Sequence, residues 1–285
     1  MTETKFVQLD VFSTGPYTGN PLAVFPEAAH LSTEQMQAIA SEMNLSETAF
    51  VTNVDEDGYD VRIFTPTEEL PFAGHPTIGT AWCLRNLRML TSSNLTQRSR
   101  AGETPVAHRG GETIFTRSGT VGENLEDVAA LASALGLPED AIGLEANLLG
   151  HGSGFLMPAI ANAGIAQLMV PIRDRGWLAA CSPKSNELKE VASIGAYCFT
   201  HCGPHEVQAR GFFPAVGVSE DPATGSAAAG LGLYLAERLG EVAIDVIQGI
   251  EMGRPSRIGL RAKAGRVEVS GRCVLVLKGS LQELP

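Results

Sequence analysis

The chain has 285 residues, of which 44% are hydrophobic and 19% are charged. This composition supports an ordinary globular core and excludes intrinsic disorder. Acidic residues outnumber basic residues by 32 to 21, which gives a net charge of -11 and argues against nucleic-acid or anionic-membrane surfaces, because both need a positive field. No segment approaches the ~20 apolar residues of a membrane helix, and no secretory signal pattern is visible. We expect a soluble, cytoplasmic protein.

The cysteines are an odd number spread over a long chain, which is typical of reduced thiols in a cytosolic protein. They are Cys83, Cys181, Cys198, Cys202 and Cys273. Cys198 and Cys202 combine with His201 and His205 into four candidate metal ligands within eight residues. A structural zinc site usually takes its ligand pairs from two separate strands or turns, so the sequence favours no metal, although zinc stays an alternative.

Three common functional motifs are missing. The stretch His151-Gly152-Ser153-Gly154 is similar to an esterase oxyanion loop, but no G-x-S-x-G elbow occurs, so a serine hydrolase is not expected. The chain has no Walker loop, and its glycines do not complete a dinucleotide fingerprint. The segment 160–170 is interpreted as core.

The first half begins with alternating, strand-like residues and glycine- and proline-rich turns. Ser32 has Gln35 three residues later, which is a capping box at the start of a helix. The elements predicted next are a helix from Ser32 to about Asn44, strands over 47–52 and 59–65, a helix without charge in its first turns that starts in LPFAGHPTIG at 70–79, and hairpins up to a domain boundary at 119–124.

The second half repeats this order. Its predicted elements are a helix from Ser182 to about Ser193, strands over 195–200 and 206–213, and a second charge-free helix start, DPATGSAAAG, at 221–230. Without a gap, Pro71, Gly74, His75 and Gly79 align with Pro222, Gly225, Ser226 and Gly230. The preceding strands align Glu47 with Gly195. A repeat of this length implies two similar domains related by an approximate two-fold.

The charge-free helices determine the predicted fold. A helix without charge on any face has to be buried all round, and a sheet curved around it achieves that burial. The predicted fold class is therefore α+β, with two pseudo-symmetric domains, each a mostly antiparallel sheet wrapped around a central helix. We expect the domains to span 1–120 and 125–285, with the last strand able to pack back on the first domain.

The two helix starts are candidate sites for an anion. A helix N-terminus has free N–H groups and a partial positive charge, and Gly74 and Gly225 leave that backbone unshielded. If the two domains face each other across the two-fold, both helix starts open onto one cleft that suits a small carboxylate. The alternative is that these glycines only permit tight turns and close helix packing.

Side chains that break the symmetry are the candidates for chemistry. Glu47 and Asp221 have no acidic counterpart in the other half, while His75 and Ser226 occupy equivalent positions at the two helix starts. A carboxyl group at the edge of a low-dielectric cleft is a usable general acid or base near neutral pH. The alternatives are a solvated strand end for Glu47, an N-cap for Asp221 and a structural polar residue for His75.

Five segments resemble those of a known family: GNPLAVF at 19–25, NLSETAFV at 44–51, ELPFAGHPTIGTA at 69–81, EDPATGSAAAGL at 220–231 and QGIEMGRPSRI at 248–258. They occur in order and span nearly the whole chain. On these segments the chain resembles the PhzF (phenazine-biosynthesis) family, whose fold is that of diaminopimelate epimerase. The related racemases use a pair of cysteines at their helix starts. None of the five cysteines lies at either start here, so a two-thiol racemase is not expected.

The resemblance implies a cofactor-free isomerase that moves a proton on a small carboxylate-bearing substrate, of the trans-2,3-dihydro-3-hydroxyanthranilate isomerase type, and a homodimer. It implies that Glu47 is the acid/base residue, supported by His75, Asp221 and Ser226. The implied substrate-binding residues are Gly74, Pro76, Thr224 and Gly225. Two alternatives stay open: a two-base epimerase that uses Glu47 and Asp221, and a binding protein that kept the cleft and lost activity.

Overall fold

A computed structural model describes residues 3–125, 127–150, 154–203 and 205–285 of the chain. The chain divides into two units, of which the first comprises Met1–Thr116 with Ser270–Pro285 and the second comprises Arg117–Val269. The division lies a few residues before the predicted end of the first domain. The last residues of the chain belong to the first unit.

Each unit contains strands and helices in the following order. The elements of the first part of the chain are β1 Thr4–Val11, β2 Asn20–Phe25, α1 Thr33–Met43, β3 Thr48–Val54, β4 Gly58–Phe64, β5 Glu69–Leu70, α2 Gly74–Asn86, β6 Asn94–Ser99, β7 Gly102–Arg109 and β8 Glu112–Ser118. Those of the second part are β9 Thr120–Asn124, α3 Ala129–Leu135, β10 Leu144–Glu145, β11 Phe155–Leu156, β12 Ala159–Asn162, β13 Ala166–Pro171, α4 Arg175–Ala180, α5 Ser185–Val191, β14 Ala196–Gly203, β15 Glu206–Phe213, β16 Val218–Asp221, α6 Gly225–Leu239, β17 Val242–Gln248, β18 Ser256–Lys263, β19 Arg266–Gly271 and, back in the first unit, β20 Cys273–Leu281. Short 3-10 turns lie at Glu139–Ala141, Ala146–Leu149 and Pro214–Val216.

The sequence signals of α1 are confirmed in detail. Ser32 is the N-cap and its side chain accepts a hydrogen bond from the N–H of Gln35, while the Gln35 side chain bonds back to the Ser32 N–H. The helix ends at Asn44, which adopts the left-handed conformation with φ of 50°. The helix predicted from Ser182 starts slightly later, at Ser185, and α3 and α4 were not predicted.

Both units repeat one pattern of strand pairing. In the first unit β2 pairs with β3 in parallel, β3 with β4 antiparallel, and β4 with β6 in parallel. In the second unit β13, β14, β15 and β17 pair in the same sequence of directions. The helices α2 and α6 occupy the same place in this pattern, before the last of these strands. The predicted α+β fold class with two similar units is confirmed.

The duplication holds at single-residue register. Phe50 pairs with Arg62 across β3 and β4, and Cys198 pairs with Arg210 across β14 and β15. These are the residues that the sequence alignment of the two halves makes equivalent. A pleated strand that slips by one residue turns every side chain to the opposite face, so this agreement means that equivalent side chains face the same way in both units.

The last strand of each half joins the sheet of the other half. β9 follows the first half and pairs with β12, while β20 ends the second half and pairs with β1. Both pairings are antiparallel. The two halves therefore exchange equivalent edge strands.

The helices α2 and α6 are buried on all sides where they begin. Every residue is buried from Gly74 to Ala81 in α2 and from Gly225 to Ala236 in α6. A Cβ atom added at Gly79 would lie 2.5 Å from a Leu22 methyl carbon, and one at the aligned Gly230 would lie 3.0 Å from the Met169 methyl carbon. All-round burial is confirmed, and these two glycines let the helices approach the sheets.

The segment 160–170, expected as core, is only partly so. Val170 is buried, but Ile160 on β12 is 52% exposed. Successive side chains of a strand point to opposite faces, so an apolar run in sequence need not be buried throughout. Among the described residues, no helix has the length and apolar character needed to cross a membrane.

A buried ion pair recurs in each unit next to the central helix. Arg62 donates two hydrogen bonds of 2.9 and 2.7 Å to the Glu69 carboxylate, and Arg210 donates two of 2.8 and 2.9 Å to the Glu220 carboxylate. Such bidentate pairs fix both side chains. They fasten β5 and β16, the strands that lead into α2 and α6, to the neighbouring strand of their own sheet.

Arg210 is more buried than Arg62 and makes additional hydrogen bonds to main-chain carbonyls. Its Nη1 atom also donates to the main-chain carbonyls of Leu178, Ala179 and Cys181, at 3.1, 3.2 and 2.9 Å. The side chain of Arg210 is 9% exposed, against 27% for Arg62. Removal of Arg210 therefore leaves a buried carboxylate and several carbonyls unsatisfied.

We predict that Arg210→Met lowers the free energy of unfolding by about 3–5 kcal/mol, because it strands a buried charge. The matched variant Arg62→Met should cost less, about 1.5–3 kcal/mol, because Arg62 itself is more exposed and Glu69 keeps its ion pair with Arg100. Urea unfolding of the whole chain measures both values. Equal losses would contradict the difference in burial.

Candidate active site

The start of α2 presents two candidate residues on a backbone that its N-cap side chain does not cap. Ala73 is the N-cap of α2, and its methyl side chain makes no cap hydrogen bond. Gly74 and His75 are the first two helical residues, and Pro76, the third, has no N–H to satisfy. The positive end of the helix dipole therefore receives no cap from its own N-cap residue.

Glu47 meets His75 at this helix start. Glu47 directly precedes β3, and its Oε2 atom lies 3.4 Å from Nδ1 of His75. The side chain of Glu47 is 17% exposed and that of His75 is 3% exposed. The alternative of a solvated strand end is therefore wrong for Glu47, which is largely enclosed yet still reachable from solvent.

Asn20 and Ser46 complete this group in the first unit and were missed by the sequence analysis. The amide Nδ2 of Asn20 lies 3.3 Å from Nδ1 of His75, and the hydroxyl of Ser46 donates to Oδ1 of Asn20 at 3.1 Å. An amide nitrogen only donates, so Nδ1 accepts and the ring proton lies on Nε2.

Burial keeps the His75 imidazole neutral. Loss of solvation lowers the pKa of His75 from 6.5 to about 3. The Nε2 atom has no hydrogen-bond partner among the described residues. A neutral ring with an unused N–H can donate a hydrogen bond to a substrate oxygen. It does so without placing a positive charge next to Glu47.

The start of α6 in the second unit carries the other candidates. Asp221 ends β16 and is 6% exposed, and its Oδ2 atom accepts a 2.6 Å hydrogen bond from the Thr224 hydroxyl. The N-cap of α6 is Thr224, so the alternative of Asp221 as N-cap is wrong. Gly225 and Ser226 are the first two residues of α6, and Ser226 is 8% exposed. The side chain of Thr224 makes no cap hydrogen bond to the helix.

The candidates thus form two groups, one in each unit. The first comprises Glu47, Gly74, His75 and Pro76, and the second comprises Asp221, Thr224, Gly225 and Ser226. The sequence analysis missed Asn20 and Ser46 in the first group and Gln248 and Tyr197 in the second. Asn20, Ser46 and Gln248 lie in segments that carry the family resemblance, which was the available signal, whereas nothing around Tyr197 marked it.

The candidate zinc ligands do not assemble. No cluster of three or more histidine, cysteine, aspartate or glutamate side chains that could hold a metal occurs within the described ranges. Cys198 and Cys202 lie on the extended strand β14, where four residues span roughly 13 Å, too far for one ion. All five cysteines are free thiols. Residues 151–153 of the esterase-like stretch lie outside the described residues.

Comparison with known proteins identifies the family. The family model of the phenazine biosynthesis-like proteins, PhzC-PhzF, matches residues 9–279. The chain belongs to this family. Among its relatives, trans-2,3-dihydro-3-hydroxyanthranilate isomerase of Pseudomonas aeruginosa is 36% identical over 290 residues, which cover 96% of this chain and 98% of the relative. Several curated relatives are isomerases by name, and this member of the PhzC-PhzF family is an enzyme of that class.

Solved structures show the same fold. A PhzF-family phenazine biosynthesis protein of Bacillus anthracis has a TM-score of 0.84 at 23% identity, covering 99% of this chain and 100% of that one. The structure of a predicted epimerase from Pseudomonas aeruginosa has a TM-score of 0.81 at 28% identity, covering 98% of this chain and 99% of that one. The fold of this PhzC-PhzF protein is epimerase-like.

We predict that the His75 imidazole stays neutral from pH 8 to pH 5. Its Cε1–H resonance, assigned by its loss in His75→Asn, should not move in an NMR titration over that range. A midpoint near 6.5 would contradict the burial of the ring.

The same pKa shift predicts how stability depends on pH. The folded pKa lies below the unfolded value, so the unfolded chain takes up a proton first as pH falls. The stability that neutral His75 contributes to the folded state is complete above about pH 6.5, and it is lost as pH falls toward about 3. His75→Asn should therefore reduce the acid-side slope of unfolding free energy against pH. His108, whose pKa burial lowers to about 4, should retain its own part of that slope in the same variant.

Proposed function

We propose that the protein is a PhzF-type isomerase that moves a proton on a small carboxylate-bearing substrate, with Glu47 as the single acid/base residue and without a cofactor. Glu47 removes a proton from a carbon activated by a carboxylate or a conjugated system. The same carboxyl then returns the proton at another carbon of that system, which produces a constitutional isomer.

The environment of Glu47 is the observation that carries this proposal. Its carboxyl group is largely buried, yet 17% exposed, and it lies 3.4 Å from a histidine that burial keeps neutral. Because His75 is neutral, it forms no ion pair with Glu47, and the charge of Glu47 is not needed to balance this histidine. A carboxyl that alternates between its two protonation states needs such surroundings.

The remaining candidates are proposed to bind the substrate. The start of α2 at Gly74 and that of α6 at Gly225 suit the substrate carboxylate and the negative charge that develops during proton transfer. Pro76 and Thr224 border these two glycines, and Ser226 offers a hydroxyl. We propose that His75 and Asp221 hold hydroxyl or amino groups of the substrate.

The relative in Pseudomonas aeruginosa indicates the class of substrate. Its name gives trans-2,3-dihydro-3-hydroxyanthranilate as the compound that it isomerises. We propose a substrate of related chemistry, with a carboxylate, a conjugated carbon system and a hydroxyl or amino group. That residues of both units serve one substrate stays a prediction. It requires that Glu47→Gln and Asp221→Asn each lower turnover of the same compound.

The product separates this proposal from its alternatives. A single base that works at two carbons yields a constitutional isomer, whereas a two-base epimerase with Glu47 and Asp221 yields a stereoisomer of the substrate. A silent binding protein yields neither, but shows thermal stabilisation by ligand without turnover. NMR of the reaction mixture and a thermal-shift panel of small acids distinguish the three.

Assembly and location are proposed on separate grounds. We propose a homodimer because the PhzF resemblance implies one, and sedimentation velocity tests it. The five free thiols fit a reducing compartment such as the cytoplasm.

The decisive experiment follows deuterium from D₂O into trans-2,3-dihydro-3-hydroxyanthranilate and a panel of related acids. We predict that Glu47→Gln slows exchange by roughly 10²–10⁴-fold, because it removes the proton carrier, while the ligand-induced thermal shift persists. Glu42→Gln replaces an exposed glutamate on α1 and is the matched control, which should exchange at the wild-type rate. Undiminished exchange in Glu47→Gln would remove this residue from the mechanism.

A further inference from the structure

A chain of buried hydrogen bonds leads to Asp221. The Tyr197 hydroxyl donates to Oε1 of Gln248 at 2.7 Å, and Nε2 of Gln248 donates to the Thr224 hydroxyl oxygen at 3.0 Å. The Thr224 hydroxyl in turn donates to Oδ2 of Asp221 at 2.6 Å. Tyr197 and Gln248 are fully buried, and Thr224 is 8% exposed.

Backbone groups fix the direction of this chain. The N–H of Thr224, which only donates, bonds to Oε1 of Gln248 at 3.1 Å, and the main-chain carbonyl of Asp221, which only accepts, bonds to Nε2 at 2.7 Å. The Gln248 amide therefore cannot be reversed, and both of its donors and both acceptor sites are used. Because Gln248 donates to the Thr224 oxygen, the hydroxyl proton of Thr224 is directed at Asp221.

The first unit contains a similar chain that ends differently. The Tyr59 hydroxyl donates to Oε1 of Gln97 at 2.9 Å, Nε2 of Gln97 donates to the Thr77 hydroxyl oxygen at 2.9 Å, and that hydroxyl donates to the carbonyl of Ala73 at 2.8 Å. This chain therefore ends on a backbone carbonyl, which cannot titrate. Only the chain of the second unit ends on a carboxyl group.

The residues around the end of the second chain differ from their equivalents as a set. Ile63, Leu70 and Ala73 of the first unit correspond to Gly211, Asp221 and Thr224 of the second, and the strand pairings Ile63 with Leu70 and Gly211 with Asp221 match. A Cβ atom at Gly211 would lie 3.0 Å from the Thr224 hydroxyl oxygen. Glycine at this position leaves room for the hydroxyl. Where the first unit has three apolar residues, the second therefore has a carboxyl group at Asp221, its hydrogen-bond donor at Thr224 and a glycine at 211 that makes space for both.

The ionisable groups near Asp221 do not offer it a competing proton. Tyr197 on β14 is held neutral, since burial and, secondarily, the Asp221 charge raise its pKa well above its usual value. Glu220, the preceding residue on β16, is bound on both oxygens by Arg210 of β15. The Thr224 hydroxyl is a donor that the structure directs to this carboxyl.

We propose that Gln248, Thr224 and Tyr197 are positioning residues that hold Asp221 as an ionised hydrogen-bond acceptor, so that Asp221 receives a donor group of the substrate, a hydroxyl or an ammonium, and is not itself a proton donor. This inference rests on the proposed function for the presence of a substrate, but the state of Asp221 is a property of the free protein. It makes Gln248, which lies 24 residues after Thr224 at the end of β17, part of the specificity of the site. It also disfavours a two-base epimerase, in which Asp221 would have to give up a proton.

The test is a titration of ¹³C-labelled aspartate carboxyl groups by NMR, with the Asp221 signal assigned by its loss in Asp221→Asn. We expect Asp221 to be ionised from pH 5 to pH 8 in the wild-type chain. Thr224→Val, which replaces the hydroxyl by a methyl group of the same size, should raise the Asp221 titration midpoint by about 1–2 pH units. Tyr197→Phe should shift it less and in the same direction, and Thr224→Ser should keep the wild-type midpoint.

The parallel chain of the first unit supplies matched controls. Thr77→Val and Tyr59→Phe remove equivalent buried hydrogen bonds and should lower the melting temperature by amounts similar to Thr224→Val and Tyr197→Phe. They should leave the Asp221 midpoint unchanged, because their chain ends on a carbonyl. A merely structural role for the second chain predicts no difference in midpoint between the two pairs.

Two results would overturn the inference: an Asp221 carboxyl that is protonated at neutral pH in the wild-type chain, or an unchanged midpoint in both Thr224→Val and Tyr197→Phe. Neither readout requires turnover. If Glu47→Gln fails to slow deuterium exchange, the proposed mechanism is wrong but the inference about Asp221 stands. If the Asp221 titration fails, the inference is wrong but the proposed role of Glu47 stands.

Discussion

Each unit depends on a central helix whose first turns have no side facing solvent. The sheets around α2 and α6 satisfy the apolar side chains of these helices and leave the helix starts as the places where polar groups can be brought in. The N-cap residues Ala73 and Thr224 make no side-chain cap hydrogen bond to their helices. The backbone there presents N–H groups and the positive end of the helix dipole. The same burial that stabilises the fold therefore creates the candidate anion sites.

Duplication supplies a symmetric frame, and chemistry enters where the two copies differ. The strand pairings agree residue by residue, and an arginine–glutamate pair fastens the strand before each central helix. Against this constant background, Glu47 corresponds to Gly195, where an added Cβ would lie 2.1 Å from a main-chain oxygen. Asp221 corresponds to Leu70. At Gly195 the packing therefore leaves no room for a side chain, whereas at Leu70 an apolar side chain takes the place of the carboxyl.

The two candidate carboxyl groups, Glu47 and Asp221, also have different polar neighbours. Next to Glu47 lies a histidine that burial keeps neutral, and the Asn20 amide bonds to that histidine. Around Asp221, a directed hydrogen-bond chain favours a single charge state. Two carboxyl groups with unlike neighbours are suited to unlike tasks. We propose proton transfer as the task of Glu47 and recognition as the task of Asp221.

Sequence alone determined the fold class, the repeat, the capping box of α1 and the burial of both central helices, because each follows from local patterns that the chain repeats. It also marked Glu47 and Asp221, since departures from a repeat are visible without a structure. Helices α3 and α4 and the exposure of Ile160 depended on packing that no local pattern encodes. Only tertiary structure brought Asn20 to His75 and Gln248 to Thr224. The reason is physical: these hydrogen bonds join residues from 24 to 55 positions apart, and their geometry exists only once separate strands are in register.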